Sequence, residues 1–336
     1  MSKPYFSILI LFWQSEQYLL QCLQSLQAQT FKDFEVILLD NGSDKPPDQA
    51  VLDRYHDLAI QMMRSETNLG FAGGNNLAAS RAQGSYLVLL NADAFPQPDW
   101  LATLHQAAQS YPGSCFASRL LRADNPDLLD GEWNVYHASG LAWRKNHNQP
   151  AVKSARFPRR VMSACAAASA YPRAAFAQVG GFDEDFFAYM EDLDLDLRLQ
   201  LAGYPFLYLP DAVVRHVGSG STGYRSDFST YYGQRNLVWT FVKNMPGFLF
   251  FLLLPVHLFY NLLYLGAGLV MPAGSALYKG KRDALRGLPD VIKKRKAVQA
   301  ERKLSSLQFA KLLDWNPLSP FVKILAPRRL KRVNHD

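Results

Sequence analysis

Five apolar residues, Tyr86-Leu87-Val88-Leu89-Leu90, follow a Gly84-Ser85 turn and stop abruptly at Asn91-Ala92-Asp93. A run of this length without alternation reads as a strand buried on both faces. Two earlier runs repeat the pattern. Phe6-Ser7-Ile8-Leu9-Ile10-Leu11-Phe12 leads into Trp13-Gln14-Ser15-Glu16, and Phe34-Glu35-Val36-Ile37-Leu38-Leu39 leads into Asp40-Asn41-Gly42-Ser43-Asp44. Between them Leu19, Leu20, Leu23 and Leu26 recur at helical spacing. The segment 49–62 reads as another helix, with Ile60 to Arg64 as a short strand. Strand, helix, strand, helix is the order of a mostly parallel, doubly wound α/β sheet. Ligands in such sheets bind beyond the carboxyl ends of the strands. The loops after Phe12, Leu39 and Leu90 therefore share one candidate edge.

Asn91 and Asp93 are two residues apart, so extended chain points both side chains the same way. A carboxylate there is a candidate ligand for a hard cation, and hard cations partner phosphates; the alternative is a helix cap or turn. The cluster Asn68-Leu69-Gly70-Phe71-Ala72-Gly73-Gly74-Asn75-Asn76 is expected to open a helix from Leu77 to Ala82 and to allow close backbone approach by an anion. It matches neither the Walker loop nor the dinucleotide fingerprint. Residues 94–182 are interrupted by prolines; Trp100 to Ser110 reads as a helix, and Met162 to Tyr171 as a strand crossing beneath a site. Gly180 to Gly203 packs six carboxylates between Asp183 and Asp194. Its Asp/Leu alternation suits a strand, but its length, the Asp194/Arg198 spacing and the terminal glycine favour a helix. Glu191 and Asp192 then fall in the first turn, where acidic residues also suit the macrodipole. A further strand ends on His216, ahead of a Gly/Ser-rich loop, Val217 to Gly223, placed to close over a ligand.

The ordered set Asp40-Asn41-Gly42-Ser43, Asn68 to Asn76, Asn91-Ala92-Asp93, Phe182-Asp183-Glu184, Glu191-Asp192 and His216 resembles family 2 glycosyltransferases of the GT-A fold, a Rossmann-like wound sheet, and in particular bacterial rhamnosyltransferase-like members. The resemblance covers roughly residues 5–240. It implies an inverting transferase that takes a nucleotide-diphosphate sugar, with dTDP-rhamnose as the suggested donor, and uses Mg²⁺ or Mn²⁺. It assigns Asp40 to reading the base, and Asn75 and Asn76 to donor contacts. Trp13, Asn41 and Asn68 fall in the same donor-binding loops, with Trp13-Gln14 standing where the family usually has Tyr-Asn. Asn91-Ala92-Asp93 stands where most members have Asp-x-Asp, which makes Asp93 the metal ligand and Asn91 a ribose contact. By the same resemblance Asp192 is the general base with Glu191 beside it, and His216 is a second metal or diphosphate ligand.

The C-terminal third differs in kind. Asn244 to Tyr278 contains no Asp, Glu, Lys or Arg, and the apolar stretch 247–271 is long enough to cross a bilayer. Pro255, His257 and Asn261 interrupt it. The net charge of +7 is concentrated after it, where residues 279–336 hold sixteen Lys/Arg against five Asp/Glu. A full span would put this basic tail across the membrane from a domain that uses cytosolic nucleotide sugar, against the positive-inside rule. The expectation is a re-entrant or in-plane helical region, with Lys279 to Lys303 and the Arg328–Arg332 cluster on anionic lipid. A homo-oligomer interface is the other way to cover it. Three scattered cysteines fit a reducing compartment, and the N-terminal apolar run is too short for a signal peptide. With the resemblance, the expected location is the cytoplasmic face of the bacterial inner membrane, peripheral or re-entrant. The expected organisation is a catalytic domain over 1–240 (donor half about 1–95, acceptor half about 96–240) and a membrane-associating helical and basic region over 241–336. The acceptor would be a lipid-linked or cell-surface glycan, and nucleic acid is not expected as a partner. The competing readings are a nucleotidyltransferase with a similar sheet, which should carry a basic Gly-rich loop after the first strand, and a non-catalytic scaffold binding membrane or nucleic acid.

Overall fold

The computed structural model describes residues 3–152, 157–218 and 226–321. Ser219 to Gly223 of the expected closing loop and the Arg328–Arg332 cluster lie outside them. The first half is wound as expected: β1 (Phe6–Phe12), α1 (Glu16–Gln27), β2 (Phe34–Asn41), α2 (Gln49–Leu52), β3 (Ile60–Ser65), α3 (Gly70–Ala79) and β4 (Tyr86–Leu90). Strands β4, β1, β2 and β3 lie side by side and parallel. Their apolar runs are continuous because each strand feeds two cores. Ile8, Ile10, Val36, Leu38, Val88 and Leu90 pack on one face, and Leu9, Ile37, Leu39, Leu87 and Leu89 on the other. At about 1.5–3 kcal/mol per fully buried aliphatic side chain, these two layers are the main source of the sheet's stability.

Two expectations change here. The helix expected over 49–62 stops at Leu52 and continues only as a short 3-10 turn, Asp53–Tyr55. Helix α3 starts at Gly70 rather than after the glycine cluster. Its glycines serve packing: a Cβ on Gly74 would come within 2.4 Å of Leu11 Cδ1 on β1.

The chain continues through β5 (Ala94–Pro96), α4 (Trp100–Ser110), β6 (Cys115–Arg122), β7 (Leu129–Gly131), β8 (Asn134–Tyr136), β9 (Ala142–Arg144), β10 (Arg159–Val161), β11 (Ala168–Pro172), α5 (Arg173–Gln178), α6 (Glu191–Leu201) and β12 (Phe206–His216). The main sheet runs β10-β12-β6-β11-β4-β1-β2-β3, with β11 antiparallel to both β4 and β6. Only the end of the stretch expected as a strand over Met162 to Tyr171 is one; the residues before it form a loop against α6. A small two-stranded hairpin, β8–β9, stands beside the sheet.

Helix α6 explains the ambiguous Asp/Leu alternation. Leu195 and Leu199 enter the sheet-side core, whereas Leu193, Leu197 and Leu201 enter a third core with Phe241, Met245, Leu249, Leu253 and Phe309. That third core is built from α7 (Asp227–Asn244), α8 (Gly247–Gly268) and α11 (Ser306–Ala310), with α9 (Gly274–Arg286) and α10 (Leu288–Ala300) packed around α7. Helix α7 runs through position 240, so the change to apolar sequence falls within one helical assembly seated on α6. The basic stretch is also partly turned inward: Lys281 is buried, Lys294 pairs with Asp183 and Asp185, and Arg295 donates to Val242 O and Met245 O.

Candidate active site

Parallel pairing sets the ends of β1, β2 and β4 together, with Phe12 opposite Asp40 and Leu9 opposite Leu89. Trp13, Asp40 and Asn91 to Asp93 therefore emerge at one edge. Asp40 is fully buried; its Oδ1 accepts from Ser43 N at 3.0 Å and its Oδ2 lies 3.3 Å from Arg64 Nη1. Trp13 is half-buried, and Gln14 beside it donates to Asp44 Oδ2 at 2.8 Å, joining the first two loops.

The asparagines singled out in the sequence are hydrogen-bonded into the scaffold at the same edge. Asn41 is buried, donating to Asn68 Oδ1 and Gly70 O while accepting from Leu69 N. Asn68 also accepts from Gly70 N. Asn75 is buried and donates back to Phe71 O, and Asn76 donates to Phe182 O and Glu184 Oε1 while accepting from Phe182 N. These side chains fasten the entry of α3 and the turn after α5.

At the end of β4, Asp93 is buried and its Oδ1 lies 3.3 Å from His216 Nε2 at the end of β12. Asn91 Nδ2 is 3.4 Å from the same nitrogen. The other ring nitrogen, Nδ1, lies 2.8 Å from Asp130 Oδ2. Arg144 pairs with Asp130 from the β8–β9 hairpin. Burial opposes the charge on Asp130, but His216, Arg144 and His147 outweigh it and hold the carboxyl down at about 2. Asp93 is likewise lowered, by His216 against its own burial. Burial disfavours the His216 imidazolium, yet the carboxylates on both sides raise its pKa. Asp130 and Arg144 were not singled out from sequence: each sits in a three-residue strand without periodicity.

Asp192 stands in the first turn of α6, half-buried. Its Oδ1 accepts from Leu193 N at 2.7 Å, and its Oδ2 from Asn134 Nδ2 at 3.2 Å and Ala166 N at 3.4 Å. Burial drives its pKa up in spite of these donors and of Arg144. Glu191 is buried with Oε2 unpartnered, and burial together with the Asp192 charge pushes it well above the usual carboxylate range. The other acids of the dense stretch have separate structural partners. Asp183 meets Lys243 and Lys294 at 2.6 and 2.5 Å. Asp194 accepts from Arg198, Lys243 and Asn244. The negative charge of this stretch is thus offset in part by cations of the C-terminal helices.

Asp93 Oδ1 and His216 Nε2 suit a divalent cation. Two ligands about 2.1 Å from one ion and at right angles are about 3 Å apart, close to the 3.3 Å observed. Asp130 fixes the imidazole so that Nε2 faces Asp93, an arrangement common around metal-bound histidine. Among the described residues no group of three or more His, Cys, Asp or Glu forms a ready cage. An ion here would take its remaining ligands from substrate oxygens and water.

The family model described as "Glycosyl transferase family 2" matches residues 7–180. The chain belongs to that family. This family 2 glycosyltransferase is 30% identical over 225 residues to the N-acetylglucosaminyl-diphospho-decaprenol L-rhamnosyltransferase of Mycobacterium tuberculosis, covering 60% of this chain and 72% of that protein. It is 29% identical over 208 residues to the O-antigen biosynthesis protein RfbC of Myxococcus xanthus, covering 60% of this chain but 16% of that much longer protein. Among solved structures, S. aureus TarS in complex with UDP-GlcNAc superposes with a TM-score of 0.57 at 15% identity, over 94% of this chain and 93% of that one. A mannosyltransferase from Pyrobaculum calidifontis in complex with GDP-Man and Mn²⁺ gives 0.53 at 18% identity, over 90% and 86%. At these identities the two structures carry the fold alone, and that fold is GT-A.

Proposed function

We propose that this glycosyltransferase is inverting and metal-dependent, moving a sugar from a nucleotide diphosphate to a hydroxyl of a lipid-linked or cell-surface glycan. The observation that carries the reading is Asp192. It is a half-buried carboxylate of raised pKa, joined through Asn134 and Arg144 of one hairpin to the pocket of Asp93, His216 and Asp130. An acceptor hydroxyl is too weak an acid to attack unaided, and a positioned carboxylate takes its proton. A single displacement inverts the anomeric centre and needs no enzyme nucleophile. Asp93 and His216 would hold Mg²⁺ or Mn²⁺, which neutralises charge on the departing diphosphate. Arg144 adds fixed positive charge between the two groups of carboxylates. Residues 1–95 serve the donor and 96–240 the acceptor; Asp40 faces the base.

The M. tuberculosis relative is named as a rhamnosyltransferase of a diphospho-decaprenol acceptor, which supports dTDP-rhamnose as the donor to try first and a lipid-linked acceptor. Helix α8 supports association with a membrane, for which the cytoplasmic face is our reading. Leu249, Leu253, His257 and Tyr260 bury one side of it along its length, while Phe251, Leu252, Phe259 and Leu262 stay exposed on the other. One-sided attachment to the protein body favours the in-plane or re-entrant arrangement over a full span.

The test is Asp192→Asn. Transfer and donor hydrolysis should fall by about 10²–10⁴-fold, the usual worth of a general base, with nucleotide affinity retained. In the wild type, rate should rise with pH through a pKa above the ordinary aspartate value, because only the deprotonated carboxylate accepts the proton. Near-normal turnover by Asp192→Asn would remove the residue from this role.

A further inference from the structure

The segment that delivers Glu191 and Asp192 is held from outside the catalytic sheet, by neighbouring residues of α7. Asn236 is fully buried, with Nδ2 at 2.9 Å from Phe186 O, 2.9 Å from Ala188 O and 2.7 Å from Tyr189 O. Arg235 Nη2 donates to Asp185 O at 2.6 Å and Phe186 O at 3.0 Å. Its guanidinium lies over the Tyr232 and Trp239 rings, 4.8 and 4.2 Å from their centroids. The remaining carbonyl of the segment, Phe187 O, points the opposite way and accepts from Phe71 N at 2.6 Å and Ala72 N at 3.2 Å, at the start of α3. Gly70 is required for that approach: it has φ +72, and a Cβ there would meet Phe187 O at 2.5 Å.

The segment is one that would not hold this path alone. Phe187, Tyr189 and Met190 have φ of 62, 64 and 69, a region that side chains other than glycine disfavour. External donors to every carbonyl from Asp185 to Tyr189 define it. Two residues beyond Asp192, α7 grips α6 again, where Lys243 and Asn244 donate to Asp194.

We propose that Asn236 and Arg235 are positioning residues for Asp192, and that through Phe187 O the same clamp sets the start of α3 on the donor side. The inference rests on reading Asp192 as the general base. Asn236 has the required chemistry: a compact neutral donor facing several carbonyl oxygens. A carboxylate of the same shape would oppose them, and a methyl would leave them unpaired. Because a base displaced by about 1 Å loses on the order of 10²-fold in rate, the clamp acts on turnover rather than on donor binding.

The test compares Asn236→Ala, Asn236→Asp and Arg235→Lys with wild type and Asp192→Asn. Three quantities are read: Mn²⁺-dependent hydrolysis of dTDP-rhamnose, UDP-GlcNAc and GDP-mannose, calorimetric affinity for dTDP and UDP with Mn²⁺, and hydrogen exchange in peptides covering 69–74 and 184–193. The expected result is a kcat lowered about 10–100-fold with KM and nucleotide affinity within about threefold of wild type. The acid limb of the kcat profile should move, and exchange should quicken in both peptides while the rest of the chain keeps its protection. Unchanged kcat in both Asn236 variants overturns the proposal. So does a parallel fall of kcat and nucleotide affinity, or exchange quickened throughout the chain. Should the Asn236→Asp protein not fold, Asn236→Ser, which keeps one donor, replaces it and should give an intermediate kcat. If no donor is hydrolysed by wild type, unchanged exchange at 69–74 in Asn236→Ala overturns it, and quickened exchange confined to the two peptides upholds it. Hydrolysis that survives Asp192→Asn refutes the base assignment instead, whereas active Asn236 variants beside an inactive Asp192→Asn refute only the clamp.

Discussion

At the residue scale the pocket depends on a charge relay around one imidazole. His216 Nδ1 is committed to Asp130, so Nε2 is the atom turned toward Asp93. A proton on Nε2 and a divalent cation would compete for the same place, and the carboxylates that raise the His216 pKa also favour a cation there. Arg144 limits that field by pairing with Asp130, while Asp93 lies against the Nε2 side of the ring. This arrangement predicts a graded response. Asp93→Ala should abolish Mn²⁺-dependent binding of UDP or dTDP. Asp130→Asn, which keeps the shape but loses the charge orienting the ring, should weaken it by about tenfold, the lower end of what such supporting partners contribute. Calorimetry with and without a chelator distinguishes the two; wild-type affinity in Asp130→Asn would show that His216 is oriented by something else.

At the scale of elements, α6 joins the catalytic sheet to the C-terminal helices, and the joint is both apolar and ionic. Asp183 lies against Lys243 of α7 and Lys294 of α10, with Asp185, Asp194 and Arg198 close by. Burial opposes its charge, but the two lysines lower its pKa from 3.8 to about 2. A carboxylate depressed on folding stabilises the folded state above its unfolded pKa, and that contribution is lost as pH falls from about 4 toward 2. Asp183→Asn should therefore cost about 2 kcal/mol at neutral pH, and urea midpoints for variant and wild type should draw together as the pH is lowered from about 4 toward 2. A gap independent of pH would refer the loss to packing. Much of this element was legible beforehand: the Asp194/Arg198 spacing and the glycine after it identify the helix. Its two-sided burial was not, because the second side is supplied by residues more than forty positions later. The site divides likewise. Asp93 and His216 end long apolar strands and stand out in sequence. Asp130 and Arg144 gain meaning only through pairings of short strands. The partners that hold Asn76 (Phe182 and Glu184) lie more than a hundred positions later and could not be read from the sequence.

At the scale of the whole molecule, α8 exposes a row of large apolar side chains along one face. Phe251 is 73% exposed and Leu262 66%, on a helix whose opposite side is locked into the third core. Lys279, Arg282, Arg286, Lys293 and Lys296 remain exposed on α9 and α10, each worth about 1 kcal/mol near an anionic surface. The same helices pack on α7, the helix that grips the backbone ahead of Asp192. Phe251→Asp combined with Leu262→Asp should reduce partition onto anionic vesicles at least tenfold, leaving dTDP and UDP affinity unchanged, since neither side chain reaches the cores. Raising the salt should weaken the wild type, because part of the attraction is screened. Equal partition of variant and wild type would rule out α8 as the contact. If the substitutions instead convert a dimer to a monomer in sedimentation without altering vesicle binding, the face is covered by a second copy of the chain.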